Sequence, residues 1–213
     1  MRWLLVVLSL MGAATPRSAR AQAEPTYPPP FPRPGTVLML DNERVLVWNI
    51  SWLKQEYPVH RHQYDHVGVY YTAGDRIITS LEGERRASHT EPWNITFQPV
   101  GVTHAEQGAS DEPLRAVFVQ IKDGPRADAA APAAEPVFPV GGPTQRLENA
   151  RALVWEYGPA SSVAAPATHR HAHDAVVVSF GSAGPEVTYV PRGTRHDTDV
   201  RAGSSRTFVF EIK

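Results

Sequence analysis

The sequence predicts an all-β fold made of two tandem copies of one small unit, and three observations support this. Apolar and β-branched runs of four to eight residues are separated by Gly, Pro, Asp and Asn turns, and no segment keeps a helical period over twelve residues. Two stretches of the chain resemble each other in the same order, the mark of an internal repeat. A histidine signature occurs twice, as His60-Arg61-His62 followed by Pro99-Val100-Gly101-Val102-Thr103-His104, and as His169-Arg170-His171 followed by Pro191-Arg192-Gly193-Thr194-Arg195-His196.

Taken in order, residues 1–23 read as a secretory signal peptide. Arg2 precedes the apolar run Trp3 to Met11, and Ala21-Gln22-Ala23 is an A-x-A cleavage pattern. A spanning helix needs about twenty apolar residues, and this run is about half that, so no stable membrane insertion is expected after cleavage. Location is then periplasmic or secreted. Pro25 to Pro34 holds six prolines, and residues 24–37 read as a stiff tether.

The first unit is expected over residues 38–122, with strand signals at Val45 to Ile50, Val67 to Tyr71, Arg76 to Ser80, Asn94 to Phe97 and Val117 to Ile121. Residues 123–138, rich in Ala and Pro, read as a linker. The second unit is expected over 139–213, with strand signals at Val176 to Phe180 and Thr207 to Ile212. Asn42 to Trp48 matches Asn149 to Trp155 at five of seven positions with an offset of 107, and the two HxH pairs align at an offset of 109. The spacing from second to third histidine is 42 residues in the first unit and 25 in the second. The second unit is thus shorter by 17 residues, about one hairpin.

Residues i and i+2 of a strand share a face, so each HxH pair aims two imidazoles into one space. A third histidine just past a Pro-x-Gly turn can close a facial set of three nitrogens around a divalent ion. His60, His62 and His104 form the first candidate metal site, and His169, His171 and His196 the second. Imidazoles suit Fe, Zn, Cu and Ni, Mn usually wants some carboxylate, and the sequence leaves the identity of the ion open. His173 and His89 are expected on the rim and in a loop. Arg61 and Arg170 alternate outward.

The chain has no cysteine, no Gly-rich phosphate loop, no G-x-S-x-G elbow and no H-E-x-x-H. Cleavage after Ala23 would remove three arginines and no acid, leaving 18 Lys and Arg against 22 Asp and Glu. That mildly acidic balance speaks against nucleic acid as a partner.

HxH followed by P-x-G-x-x-H resembles the two motifs of the cupin superfamily, and the repeat makes the chain similar to a bicupin. The resemblance implies two tandem double-stranded β-helix (jelly-roll) barrels, the second abbreviated, each holding a divalent metal near its centre. The second unit, through His169 to Val178 and Phe208 to Lys213, is similar to small cupins grouped with β-alanine degradation proteins. The family's first motif usually continues to a glutamate ligand four or five residues after the second histidine. Here those positions are His66 and Val67, then Ala175 and Val176. His66, at an even offset from His60 and His62, is the candidate fourth ligand of the first site. Asp65 and Asp174 recur between the units as candidate hydrogen-bond acceptors for a ligand histidine.

The functional expectation is an exported metal-dependent enzyme acting on a small oxygenated molecule, of dioxygenase, isomerase or hydrolase type, with dioxygenase slightly favoured. The alternative is a non-catalytic cupin that binds or senses a small ligand or serves as a structural module. No catalytic residue is assigned, and the sequence leaves room for a homo-oligomer.

Overall fold

A computed structural model describes residues 25–124, 137–159, 168–197 and 199–213. The expected signal peptide and most of the expected linker lie outside these residues. The first half contains β1 (Thr36–Asp41), β2 (Val45–Trp52), β3 (Glu56–Arg61), β4 (Asp65–Tyr70), β5 (Gly74–Thr79), β6 (Arg85–Thr90), β7 (Ile95–Gln98), β8 (Thr103–Gly108) and β9 (Leu114–Ile121). The second contains β10 (Thr144–Glu148), β11 (Ala152–Tyr157), β12 (His169–Arg170), β13 (Asp174–Gly181), β14 (Gly184–Val190), β15 (Arg195–His196) and β16 (Arg206–Ile212). The fold is all-β, with no helix among the described residues.

Each half has one five-stranded antiparallel sheet, in the order β1-β2-β9-β4-β7 in the first and β10-β11-β16-β13-β14 in the second. The two orders match strand for strand. Facing these are a four-stranded sheet β3-β8-β5-β6 in the first half and a two-stranded sheet β12-β15 in the second. The difference is the hairpin β5–β6, which spans residues 74–90, 17 positions, and has no counterpart in the second half, where β13 turns directly into β14. It accounts for the whole length difference between the repeats.

The central strands of the five-stranded sheets are buried on both faces, which explains why β9, β13 and β16 read as nearly continuous apolar runs. One face of each contributes to a shared core, in which Val47, Val69 and Val119 of the first half pack with Val154, Val178, Phe208 and Phe210 of the second. The opposite face of the first sheet carries Trp48, Ile50, Trp52, Tyr70 and Phe118, and that of the second carries Tyr157, Val177 and Val209.

The Pro-rich stretch differs from the expected tether. Phe31 is buried against Trp48, with ring centroids 5.5 Å apart, and the Arg61 amide donates to the Pro28 carbonyl at 2.9 Å. The equivalent Phe138, 107 residues on, packs on Trp155 at 5.6 Å, and its amide donates to the Arg170 carbonyl at 2.8 Å. Both arms thus run beside their HxH strands. A phenylalanine with an aromatic partner buries enough apolar area to order a segment whose prolines already restrict it.

Two ion pairs cross between the halves in the same way. Arg44 Nε donates to Asp174 Oδ2 at 2.8 Å, and Arg151 Nε lies 2.7 Å from Asp65 Oδ2. Arg44 and Arg151 are repeat equivalents, as are the two aspartates. A shared core predicts that the halves unfold together. Phe210→Ala should lower the stability of the whole chain by about 3 to 5 kcal/mol, with one coincident urea transition in fluorescence and circular dichroism; two separated transitions would contradict a common core.

Candidate metal centres

In the first half the register of β3 on β8 sets His60 directly opposite His104. His62 lies one residue beyond β3, and the turn of the second motif ties it down. Its amide donates to the Val102 carbonyl at 2.9 Å, and its carbonyl accepts the Gly101 N–H at 2.8 Å. Gly101 has φ +89°, a conformation that side-chain-bearing residues rarely adopt. This is the local reason for the glycine in P-x-G-x-x-H. The second half repeats the device: His169 pairs with His196, and Gly193, at φ +71°, donates its N–H to the His171 carbonyl at 3.0 Å.

One potential ligand atom from each of His60, His62 and His104 falls within 4.8 Å of the others, and all three residues are buried. His60 Nδ1–H donates to the Pro58 carbonyl at 3.1 Å, which directs Nε2 as the lone-pair atom. His62 Nδ1 is 3.0 Å from His66 Nδ1, and His62 Nε2 is buried without a hydrogen-bond partner. His66 therefore orients the His62 ring, and it stands outside the set of converging atoms. Its own ring stacks on Phe118 at 4.8 Å. Phe118 reaches that place because its register partner is Gly68, where a Cβ would lie 2.0 Å from the Phe118 ring.

The second cluster has four members, His169, His171, His196 and Asp199. The Asp199 carboxylate contacts His169 Nε2 at 3.1 Å, His171 Nε2 at 3.2 Å and His196 Nε2 at 3.4 Å. His171 Nδ1 donates to Glu211 Oε1 at 3.3 Å. Glu211 thus takes the place that His66 has in the first half, orienting the second histidine of the pair. The two repeated aspartates bond backbone amides of the second motif. Asp65 accepts the Val100 N–H at 2.9 Å and Asp174 the Arg192 N–H at 3.0 Å, so each anchors the turn that delivers the third histidine.

Electrostatics separate the two clusters. Burial, joined by the positive fields of neighbouring rings, pulls His62 down to about 2. Burial likewise takes His66 to about 3 and His104 to about 4, and lowers His60. These rings are neutral at neutral pH, the form that binds metal. In the second cluster burial also pushes His171 down, but hydrogen bonds to Asp199 and Glu211 outweigh it and the net shift is upward. Burial raises Asp199, yet His169 and His171 hold it at about 2.

Sequence reasoning missed Asp199, Glu211, Glu106, Arg33 and Arg76. Glu106 was legible, being two residues after His104 on the same face of a strand with alternating burial. It lies 3.8 Å from His104 Nε2 and accepts from Trp52 Nε1 at 2.9 Å and Arg76 Nη1 at 3.0 Å. Burial works against its ionisation, but Arg33 and Arg76 hold it well below the usual carboxylate range. Asp199 follows His196 by three residues outside any strand and gives no periodic signal. Arg61 is exposed and donates to Thr103 Oγ1 at 3.0 Å, in agreement with its outward expectation.

A histidine whose folded-state pKa is depressed favours folding above its unfolded value near 6.5, and that stabilisation is lost as pH falls below it. Chelator-treated protein should therefore melt at progressively lower temperature as pH drops from about 7 toward 4, where His104 begins to titrate in the folded state. His62→Gln should flatten that dependence in scanning calorimetry; an unchanged slope would contradict a buried neutral His62.

No family model matches this chain, and no curated protein is significantly similar to it. Solved structures are. A cupin domain protein from Bordetella pertussis Tohama I is 32% identical, over 43% of this chain and 98% of its own, with a TM-score of 0.38. AerE from Microcystis aeruginosa is 10% identical but covers 88% of this chain and 99% of its own, with a TM-score of 0.57. The polyketide cyclase RemF from Streptomyces resistomycificus is 17% identical over 42% of this chain and 66% of its own, with a TM-score of 0.36.

Proposed function

Because this chain belongs to the cupin superfamily, we propose that it is an exported, metal-dependent enzyme acting on a small oxygenated molecule at the first histidine cluster. The observation that carries this reading is three buried imidazoles, neutral at neutral pH, converging with no carboxylate among them. The buried and unpartnered Nε2 of His62 fits an ion better than it fits a hydrogen-bonded core.

His60, His62 and His104 would hold the ion. When bound, it supplies Lewis acidity at open coordination positions and, if it is Fe or Cu, redox chemistry toward dioxygen. The chain's own residues fix the site beforehand. The Pro58 carbonyl sets the tautomer of His60, His66 and Phe118 set the plane of His62, and the Gly101 turn sets the height of His104. Enclosure between the two sheets of the first half excludes bulk water, which strengthens every electrostatic interaction inside.

The second cluster favours a different role. A carboxylate added to three imidazoles neutralises part of a dication's charge and fills a fourth position, as in closed structural sites. We read it as a site that holds an ion without turning over substrate. Export is supported by the Arg2-led apolar run and the Ala21-Gln22-Ala23 pattern, and the mass of protein recovered from outside the cytoplasm, lacking 23 residues, would test it.

The direct test is elemental analysis. His60→Ala and His104→Ala should each lose one equivalent of metal while retaining the second equivalent, and Asp199→Ala should lose the other. Metal content equal to wild type in the first two variants would defeat the assignment. With the metal identified, oxygen-uptake assays on small oxygenated compounds separate a dioxygenase from an isomerase or hydrolase.

A further inference from the structure

The triad of the first half has a basic neighbour. Arg33, from the N-terminal arm, and Arg76, from β5, meet the two oxygens of Glu106, and their side chains are only 7% and 6% exposed. Each guanidinium lies over aromatic rings, with Arg33 Cζ 4.0 Å from the Tyr57 ring centre and Arg76 Cζ 4.7 Å from that of Trp52. Stacking fixes the planes of the guanidinium groups and leaves their N–H edges to choose acceptors.

The acceptors present do not suffice. Arg76 Nη1 donates to Glu106, but its Nε is buried without a hydrogen-bond partner. Arg33 Nη1 lies 2.9 Å from Glu106 Oε2, close enough for an ion pair but out of line for a hydrogen bond. Its Nε, Nη1 and Nη2 are all buried without an acceptor. Two guanidiniums thus share one carboxylate, which leaves one positive charge unmatched beside a cluster proposed to add a dication. Buried charge in that state is costly unless something compensates it.

We infer that the interior of the first half binds a small organic carboxylate, seated on Arg33 and Arg76 next to His104. This rests on the metal-dependent reading above and names its substrate class. A carboxylate fits for three reasons. As a monoanion it matches the single unmatched charge. Its two oxygens suit the guanidinium fork. The guanidiniums lie on the rings of Trp52, Tyr57 and Tyr70, an apolar setting in which a charge-assisted pair is strengthened. The feature belongs to this half alone: Val140 stands at the position equivalent to Arg33, and the hairpin that carries Arg76 is missing from the second half.

Titration calorimetry of the full mature chain, loaded with zinc, can compare benzoate with the neutral isostere benzamide. Benzoate should bind at least about tenfold more tightly, the range expected for a charge-assisted fork. Arg33→Gln should lose most of that preference and Arg33→Lys only part of it, with zinc content unchanged in both. Equal binding of the two compounds, binding of neither, or a preference untouched by Arg33→Gln would overturn the inference. Zinc content is read separately: a wild-type chain that prefers benzoate but takes up no metal at His60 and His104 would defeat the metal reading and leave the anion site standing.

Discussion

The structure depends above all on the burial of two five-stranded sheets against each other. The face of each large sheet turned away from its histidine cluster is covered by the other half. Valines on alternate positions of β2, β4 and β9 meet valines and phenylalanines of β11, β13 and β16, and the residues of the resulting core are buried. That leaves the opposite face of each large sheet free to form the back wall of a histidine cluster. The contact also fixes where the halves stand. Arg44 and Arg151 reach across to Asp174 and Asp65, and those aspartates hold the N–H of the residue after proline in each P-x-G turn. The position of the third histidine in one half is thereby tied to an arginine of the other. Removing either arginine would leave a largely buried carboxylate without its partner, which disturbs more than the contact itself.

Most of the architecture was legible in the sequence. The repeat, the strand runs and the missing hairpin follow from periodicity and spacing, because a strand buried on one or both faces writes its burial directly into its residues. The triads were legible for the same reason, since HxH on a strand and a glycine required by φ > 0 are local geometric needs. The Pro-rich arm was not, because composition alone describes a proline-rich segment as extended and says nothing of what it packs on. Phe31-Pro32 and Phe138-Pro139, however, recur at the repeat offset of 107. A duplicated aromatic in an apparent tether is a sign that it belongs to the fold.

The partners of the histidines were harder to read. His66 has the even offset of a ligand, yet it meets His62 ring to ring, because β4 belongs to the sheet opposite β3 and the two rings approach across the interior. Strand parity gives the face of a residue but not which sheet it faces. Glu211 and Asp199 reach His171 from 40 and 28 residues away, and Arg33 reaches Glu106 from a different element altogether. Such long-range pairings leave no periodic trace.

The asymmetry between the halves follows from the same single deletion. Without a counterpart of β5–β6 the second half has no Arg76 equivalent, and His196 is more exposed than His104, at 19% against 8% of its side chain. In the second cluster the Asp199 carboxylate lies within reach of all three imidazoles, the two buried ones and the partly exposed His196. In the first half the nearby carboxylate, Glu106, is committed to Arg33 and Arg76 instead. One copy of the repeat thus surrounds its triad with net positive charge and the other with net negative charge. A bound cation would be stabilised by the second environment and left underneutralised by the first, so an anion beside the first triad would meet the larger uncompensated positive charge.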